Sequence, residues 1–215
     1  MGRVIEVVFS LAALIVAAPL LLAAMAAVSL ESAGGPFYRA RRVGLRGREF
    51  RMWKLRTMRT AAQGMGPITG HRDARVTRLG GVLRKCKVDE LPQFLNVLAG
   101  EMTLVGPRPE SPEIVARYTA EQRRILDVKP GITGKAQLIS DDESETIPEQ
   151  VDPLEYYIEH LMPRKVSVDL EYLSRRTAWT DVQILWGTAG LLLRALRRGG
   201  ERPGVRASAI EGGAR

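Results

Sequence analysis

The chain has 215 residues, of which 45% are hydrophobic and 26% charged, so it holds one domain with appendages and is neither collagen-like nor wholly disordered. Its single cysteine, Cys86, excludes an intrachain disulfide framework and a thiolate zinc cluster, and His71 with His160 makes a poor metal site. A net charge of +8 directs attention to anionic partners: nucleic acid, phosphorylated small molecules or an acidic membrane surface.

From Val7 to Leu30 no residue is charged, and a helix of these 24 residues would measure about 36 Å, enough for a bilayer core. The run exceeds the apolar region of a cleaved signal peptide, and Arg3 before it is offset by Glu6. Pro19, near the middle, removes a backbone hydrogen bond and predicts a kink. Two topologies follow: a kinked span, or a re-entrant helix-break-helix that returns to the cytoplasmic face. Between Phe37 and Arg59, nine basic residues are opposed only by Glu49, and such a juxtamembrane cluster stays on the cytoplasmic side.

Beyond it, Val43–Met58 predicts a short β-hairpin with a turn at Arg46-Gly47-Arg48. Residues Ala61–Gly70 read as a loop, and Val76, Leu79, Val82 and Leu83 recur at helical spacing. A helix is expected from about Val88 to Leu98, with Asp89 and Glu90 in its first turn. Thr103–Val105 is a candidate strand, Gly106-Pro107-Arg108-Pro109 a stiff loop, Ile114–Leu126 a helix and Lys129–Gly134 a turn-rich loop. Leu154–Leu161 and Val166–Leu173 are short amphipathic helices, each limited by a nearby Pro. Thr180–Leu196 is a longer one, suited either to the headgroup region or to the core, and the chain from Gly199 reads as a frayed tail.

Four segments carry chemistry. In Arg84-Lys85-Cys86-Lys87-Val88-Asp89-Glu90 two carboxylates follow a basic run, and neighbouring cations are expected to keep them ionised, as a nucleophile or divalent-metal ligand requires. The plain alternative is a favourably charged helix start. Arg108, held between two prolines, offers a guanidinium fork for phosphate, against a plain turn with an exposed Arg. Lys54-Leu55-Arg56-Thr57-Met58 offers two cations and a hydroxyl at a strand end, against a solvated edge strand. Pro130–Gln137 superficially looks like a phosphate loop but lacks the GxxxxGK[ST] spacing.

Taken in order, these segments together with Arg75-Val76-Thr77-Arg78-Leu79-Gly80, Leu91-Pro92-Gln93, Asn96-Val97-Leu98, Gly100-Glu101-Met102 and Lys129-Pro130-Gly131-Ile132-Thr133-Gly134 resemble the bacterial sugar transferase family, the small monotopic phosphoglycosyl transferases. The likeness covers most of residues 1–137. It implies transfer of a sugar 1-phosphate from a UDP-sugar to polyprenyl phosphate at the cytoplasmic face of the bacterial inner membrane, releasing UMP. It also implies Asp89 as the nucleophile of a covalent phosphosugar intermediate, with Glu90 its partner in binding Mg²⁺ or managing protons. Arg108 and Arg84 would hold substrate phosphate, with Lys54 and Arg56 as further candidates, and Pro19 would break a re-entrant membrane helix. Where the family often has Ser before that Pro, this chain has Ala18, and where Trp commonly follows the Gly134 position it has Lys135, then the acidic run Asp141–Glu145.

The expected fold is therefore mainly α with a short β-hairpin. A membrane-embedded re-entrant helix-break-helix over 1–36 precedes a compact cytoplasmic catalytic domain over 37–198 with interfacial amphipathic helices, and a flexible tail over 199–215. Membrane lipid is an expected partner and nucleic acid is not. The rival classes are a membrane-tethered basic nucleic-acid-binding module, for which Phe50 and Trp53 are the only nearby stacking surfaces, and a non-catalytic membrane scaffold.

Overall fold

A computed structural model of the chain describes residues 2–59, 68, 73–139, 147, 148 and 150–197. Most of the Ala61–Gly70 loop, the acidic run at Asp141–Glu145 and the tail from Gly199 lie outside the described residues.

The Ala-, Leu- and Val-rich N-terminus forms one helix, α1 (Arg3–Glu31), of 29 residues. Pro19 lies inside it and does not end it: one missing N–H interrupts a long hydrogen-bond ladder at a single point. Among the described residues this is the one helix long and apolar enough to cross a membrane. Its inner side is polar at the start, with Glu6 and Ser10 buried, and apolar further on, with Ala24 and Val28 buried. Its outer side exposes Val4, Ile5, Val8, Phe9, Ile15, Val16 and Leu20. Both ends rest on the rest of the protein. Arg3 donates to the carbonyls of Val97 (2.6 Å) and Leu98 (2.9 Å), Thr103 and Glu6 share a hydrogen bond, and Glu31 accepts from the backbone N–H of Leu79 at 3.1 Å.

The hairpin pairs β1 (Phe37–Val43) with β2 (Glu49–Leu55) in antiparallel register, Phe37 opposite Leu55 and Val43 opposite Glu49. The turn lies where expected, but the first strand begins in the segment read as a juxtamembrane basic cluster. Alternation hides the strand there, because Arg39 and Arg41 occupy its outer face while Ala40 between them is buried. A helix α2 (Arg78–Lys85), capped by the Thr77 hydroxyl, leads to a 3₁₀ turn at Val88–Gln93 and then α3 (Phe94–Ala99). Buried Asn96 fastens α3 to the hairpin edge: its amide oxygen accepts from Trp53 N–H (2.9 Å) and its NH₂ donates to the Arg51 carbonyl (3.0 Å), as a neighbouring strand would.

β3 (Thr103–Val105) pairs in parallel with β4 (Gly131–Thr133), so the segment read as a turn-rich loop contains a short strand. The expected Ile114–Leu126 helix is two pieces, α4 (Pro112–Ala116) and a 3₁₀ turn at Gln122–Asp127. After α5 (Lys135–Ile139), the two helices predicted near Pro163 are instead one unbroken helical run: α6 (Pro153–Tyr156), a π turn at Tyr157–Leu161 and α7 (Met162–Ser174). The wide turn lies just ahead of Pro163, whose ring would clash with a regular ladder. The last helix, α8 (Ala178–Arg197), matches expectation and buries Ile184.

Three apolar clusters hold these parts. Ala40, Phe50 and Met52 of the hairpin pack on Val97, Met102, Leu104, Tyr172 and Ile184. Val43 joins Ile114, Tyr118, Ile125, Tyr157 and Val166. Ala24 and Val28 of α1 pack on Leu55 and Leu83, with Phe37 and Val88 against them.

Candidate active site

Three separate segments converge on Glu90. The 3₁₀ turn begins after Lys87, which adopts a left-handed conformation (φ 54°), and Pro92 has no N–H with which to close an α turn onto Val88. This tight turn presents Asp89 and Glu90 together. The end of β2 supplies Lys54, whose Nζ lies 3.0 Å from Glu90 Oε1 and 3.9 Å from Asp89 Oδ2. The loop after β3 supplies Arg108, whose Nη2 reaches Glu90 Oε1 at 2.7 Å while its Nη1 stands 3.4 Å from Oε2.

Backbone contact fixes that loop. Gly106 N–H donates to Thr133 O and Gly131 N–H to Pro107 O, each at 2.9 Å. A Cβ on Gly131 would stand 2.1 Å from Gly106 N, and one on Gly134 2.4 Å from Gly106 O. The glycines that looked like a phosphate loop are therefore seats for the Arg108 loop.

The two carboxylates differ in kind. Asp89 is 4% exposed, its Oδ1 is buried without a hydrogen-bond partner, and burial raises its pKa despite the opposing pull of Lys54. The neighbouring cations Lys54, Arg84 and Arg108 pull the other way, but burial sets the direction of the shift. Burial also works against ionised Glu90, but there Arg108 and Lys54 win and hold the carboxyl well below the usual range. Burial lowers the pKa of Lys54, partly offset by Glu90, whereas the Glu90 charge raises that of Arg108.

Arg84 stands nearby. Its Nε donates to Thr57 Oγ1 at 2.8 Å, and its charge acts on Asp89. Arg56 is not brought into this cluster, because its guanidinium donates to the carbonyls of Gly34, Gly35 and Phe37 and so fixes the entry to β1. Pro19 contributes through α1 alone.

A second polar cluster behind Arg108 had no local signal in the sequence. Tyr157 and Glu110 share a hydrogen bond, Lys165 donates to Tyr157 Oη at 2.8 Å, and Asp169 accepts from Ala136 N–H at 3.0 Å. Its members come from four places in the chain, and only Lys165 and Asp169 have helical spacing to hint at proximity.

A hard divalent cation fits the site. Asp89 Oδ1 is unpartnered and Glu90 Oε2 has one long contact, so each has an oxygen to offer. Among the described residues no third His, Cys, Asp or Glu joins them, which leaves further ligands to substrate and water. Together, a buried carboxylate with a free oxygen and a ring of cations can attack and hold an anionic phosphorus centre.

Comparison with known proteins agrees with this chemistry. A profile described as bacterial sugar transferase matches residues 1–195. The chain is 38% identical over 204 residues to a UDP-glucose:undecaprenyl-phosphate glucose-1-phosphate transferase of Caulobacter vibrioides, covering 89% of this chain and 69% of that protein. It is 39% identical over 176 residues to a protein of the same name from Xanthomonas campestris pv. campestris, covering 80% and 34%. It is 35% identical over 197 residues to a UDP-N-acetylgalactosamine-undecaprenyl-phosphate N-acetylgalactosaminephosphotransferase of Aeromonas hydrophila, covering 89% and 43%. The chain thus spans 69% of the first of these relatives but only 34% and 43% of the other two.

Proposed function

The chain belongs to the bacterial sugar transferase family, and from that premise we propose that it transfers a sugar 1-phosphate from a UDP-sugar to a polyprenyl phosphate, with Asp89 as the nucleophile. The observation that carries this reading is the Asp89 carboxylate, buried, with one oxygen unpartnered, beside Lys54 and the Glu90–Arg108 pair.

An Asp89 oxygen attacks the phosphorus that bears the sugar, and the bond from that phosphorus to the oxygen of the nucleoside phosphate breaks, so UMP leaves with the electron pair. An oxygen of the polyprenyl phosphate then attacks the same phosphorus and Asp89 departs as a carboxylate. The product is a polyprenyl diphosphate sugar. Lys54, Arg108 and Arg84 supply the positive charge that lets one anion approach another. Mg²⁺, held by Asp89 and Glu90, would neutralise the donor diphosphate when bound. Glu90, held well below the usual carboxylate range by Arg108 and Lys54, is a lasting anion that orients those two cations, while burial raises the pKa of Asp89.

The acceptor's chain stays in lipid, so the nucleophile belongs at the bilayer surface. What supports this is the packing of Val88, next to Asp89, against the cluster that α1 builds with Ala24 and Val28. In this reading α1 is re-entrant in the cytoplasmic leaflet. Trp179, Trp186 and Leu193, exposed at seven-residue intervals on α8, rest at the headgroups.

The test is incubation of nanodisc-held protein with Mg²⁺, polyprenyl phosphate and a panel of UDP-sugars, reading UMP release. Asp89→Asn is expected to abolish turnover and the mass adduct of one phosphosugar. Full activity in that variant would refute the nucleophile.

A further inference from the structure

The inner face of the hairpin carries two groups that the steps above do not use. Tyr38 lies directly opposite Lys54 in the strand register, so both project to the same face of the ribbon. Its side chain is 45% exposed, and among the described residues its ring has no aromatic or cationic partner. Trp53, on the other face, is by contrast covered: Arg39 sits 4.5 Å from its ring centre and Phe37 meets it edge-on.

Arg42 follows on the same face as Tyr38, four residues along β1. It is half-buried, and burial lowers its pKa. Among the described residues it forms no ion pair, and its hydrogen-bond partner is the Arg41 carbonyl at 3.1 Å. It lies within electrostatic reach of Arg108, Glu110 and Tyr38. Glu110 favours its charge but is shared with Tyr157 and Lys165. Lys54 and Arg108 meanwhile both bind Glu90, with Asp89 3.9 Å from Lys54. A half-buried guanidinium beside Arg108, whose nearest carboxylate is already shared, is a place where a further anion is held favourably.

On the donor reading above, we propose that Tyr38 and Arg42 form the subsite for the nucleoside monophosphate half of the donor, the Tyr38 ring stacking on the base and Arg42 holding the phosphate that leaves. A nucleoside diphosphate sugar has two phosphates. The one that bears the sugar is the target of Asp89, between Lys54 and Arg108. The other needs a further cation and a flat apolar surface, and the same hairpin face carries both, Tyr38 beside Lys54 and Arg42 toward the turn within reach of Arg108.

The experiment titrates nanodisc-held full chain with UDP and, separately, with inorganic pyrophosphate in Mg²⁺, by calorimetry. Wild type is expected to bind UDP more tightly than pyrophosphate. Tyr38→Leu is expected to weaken UDP about tenfold, the order of one base–aromatic stack, and to leave pyrophosphate unchanged, while Tyr38→Phe keeps both. Arg42→Gln is expected to weaken UDP about tenfold, with Arg42→Lys between it and wild type. If wild type binds UDP no better than pyrophosphate, the donor reading itself fails. If wild type discriminates but Tyr38→Leu and Arg42→Gln retain its UDP affinity, the subsite alone is overturned.

Discussion

Adjacent side chains can have their pKa values shifted in opposite directions by surroundings less than one turn apart, as those of Asp89 and Glu90 are. Glu90 touches two cations and stays anionic; Asp89 meets Lys54 only at 3.9 Å and is dominated by burial. The same balance recurs at Asp169, where burial raises the pKa to about 6 against the pull of the Ala136 N–H and Lys165. Folding therefore favours the protonated form. Its stabilising contribution is complete below the ordinary value of 3.8 and is lost as pH rises through about 6. By linkage the loss is of order 3 kcal/mol at most. Asp169→Asn, which keeps an acceptor for the Ala136 N–H, is expected to melt higher than wild type at pH 7.5 and to show a flatter dependence of Tm between pH 4 and 7. A lower Tm at pH 7.5 would mean that the attraction of the Lys165 charge outweighs burial.

At the scale of elements, the glycine seat couples stability to the site. Gly131→Ala puts a methyl group within 2.6 Å of both Gly106 N and Gly106 O, backbone atoms that cannot rotate away. Strand β4 must then part from β3, at a cost of about 2–4 kcal/mol. Arg108 leaves Glu90 with it. The expected outcome is a Tm lower by several degrees with a UMP-release rate that falls further than the unfolded fraction explains; a variant with wild-type Tm and rate would show the loop to be seated otherwise. These glycines also mark what the sequence conceals. The hairpin, α2, β3 and α8 are legible because periodicity and turn residues act within a few positions. The 3₁₀ turn at Val88–Gln93 is read only as helix, since its tightness comes from Lys87 and Pro92 acting together. Strand β4 is illegible because a three-residue parallel strand is defined by its distant partner. Asp89, Glu90, Arg108 and Lys54 stand together, a grouping that the family resemblance implied and local spacing did not, whereas Arg56 reads as a phosphate ligand only until its three carbonyl partners are seen.

For the molecule as a whole, the position of α1 bears on topology more directly than its hydropathy does. A straight helix of 29 residues is about 43 Å long, so a spanning arrangement would carry one end clear across the bilayer. Yet Arg3 binds the end of α3 and Glu31 caps the start of α2, and both helices belong to the same water-facing body. Breaking the Arg3 contacts would strand a guanidinium and bury Glu6 without its neighbours, which opposes insertion of that end into lipid. On the membrane reading proposed above, the exposed apolar side of α1 would meet acyl chains along its length, with both ends on one face. In a Cys86→Ser background, single cysteines introduced as Gly2→Cys and Ala33→Cys are expected to react with a membrane-impermeant maleimide in inverted vesicles and not in right-side-out cells. Labelling of position 2 from outside intact cells, with position 33 labelled from within, would establish a span and dismantle the docking of Arg3 on Val97.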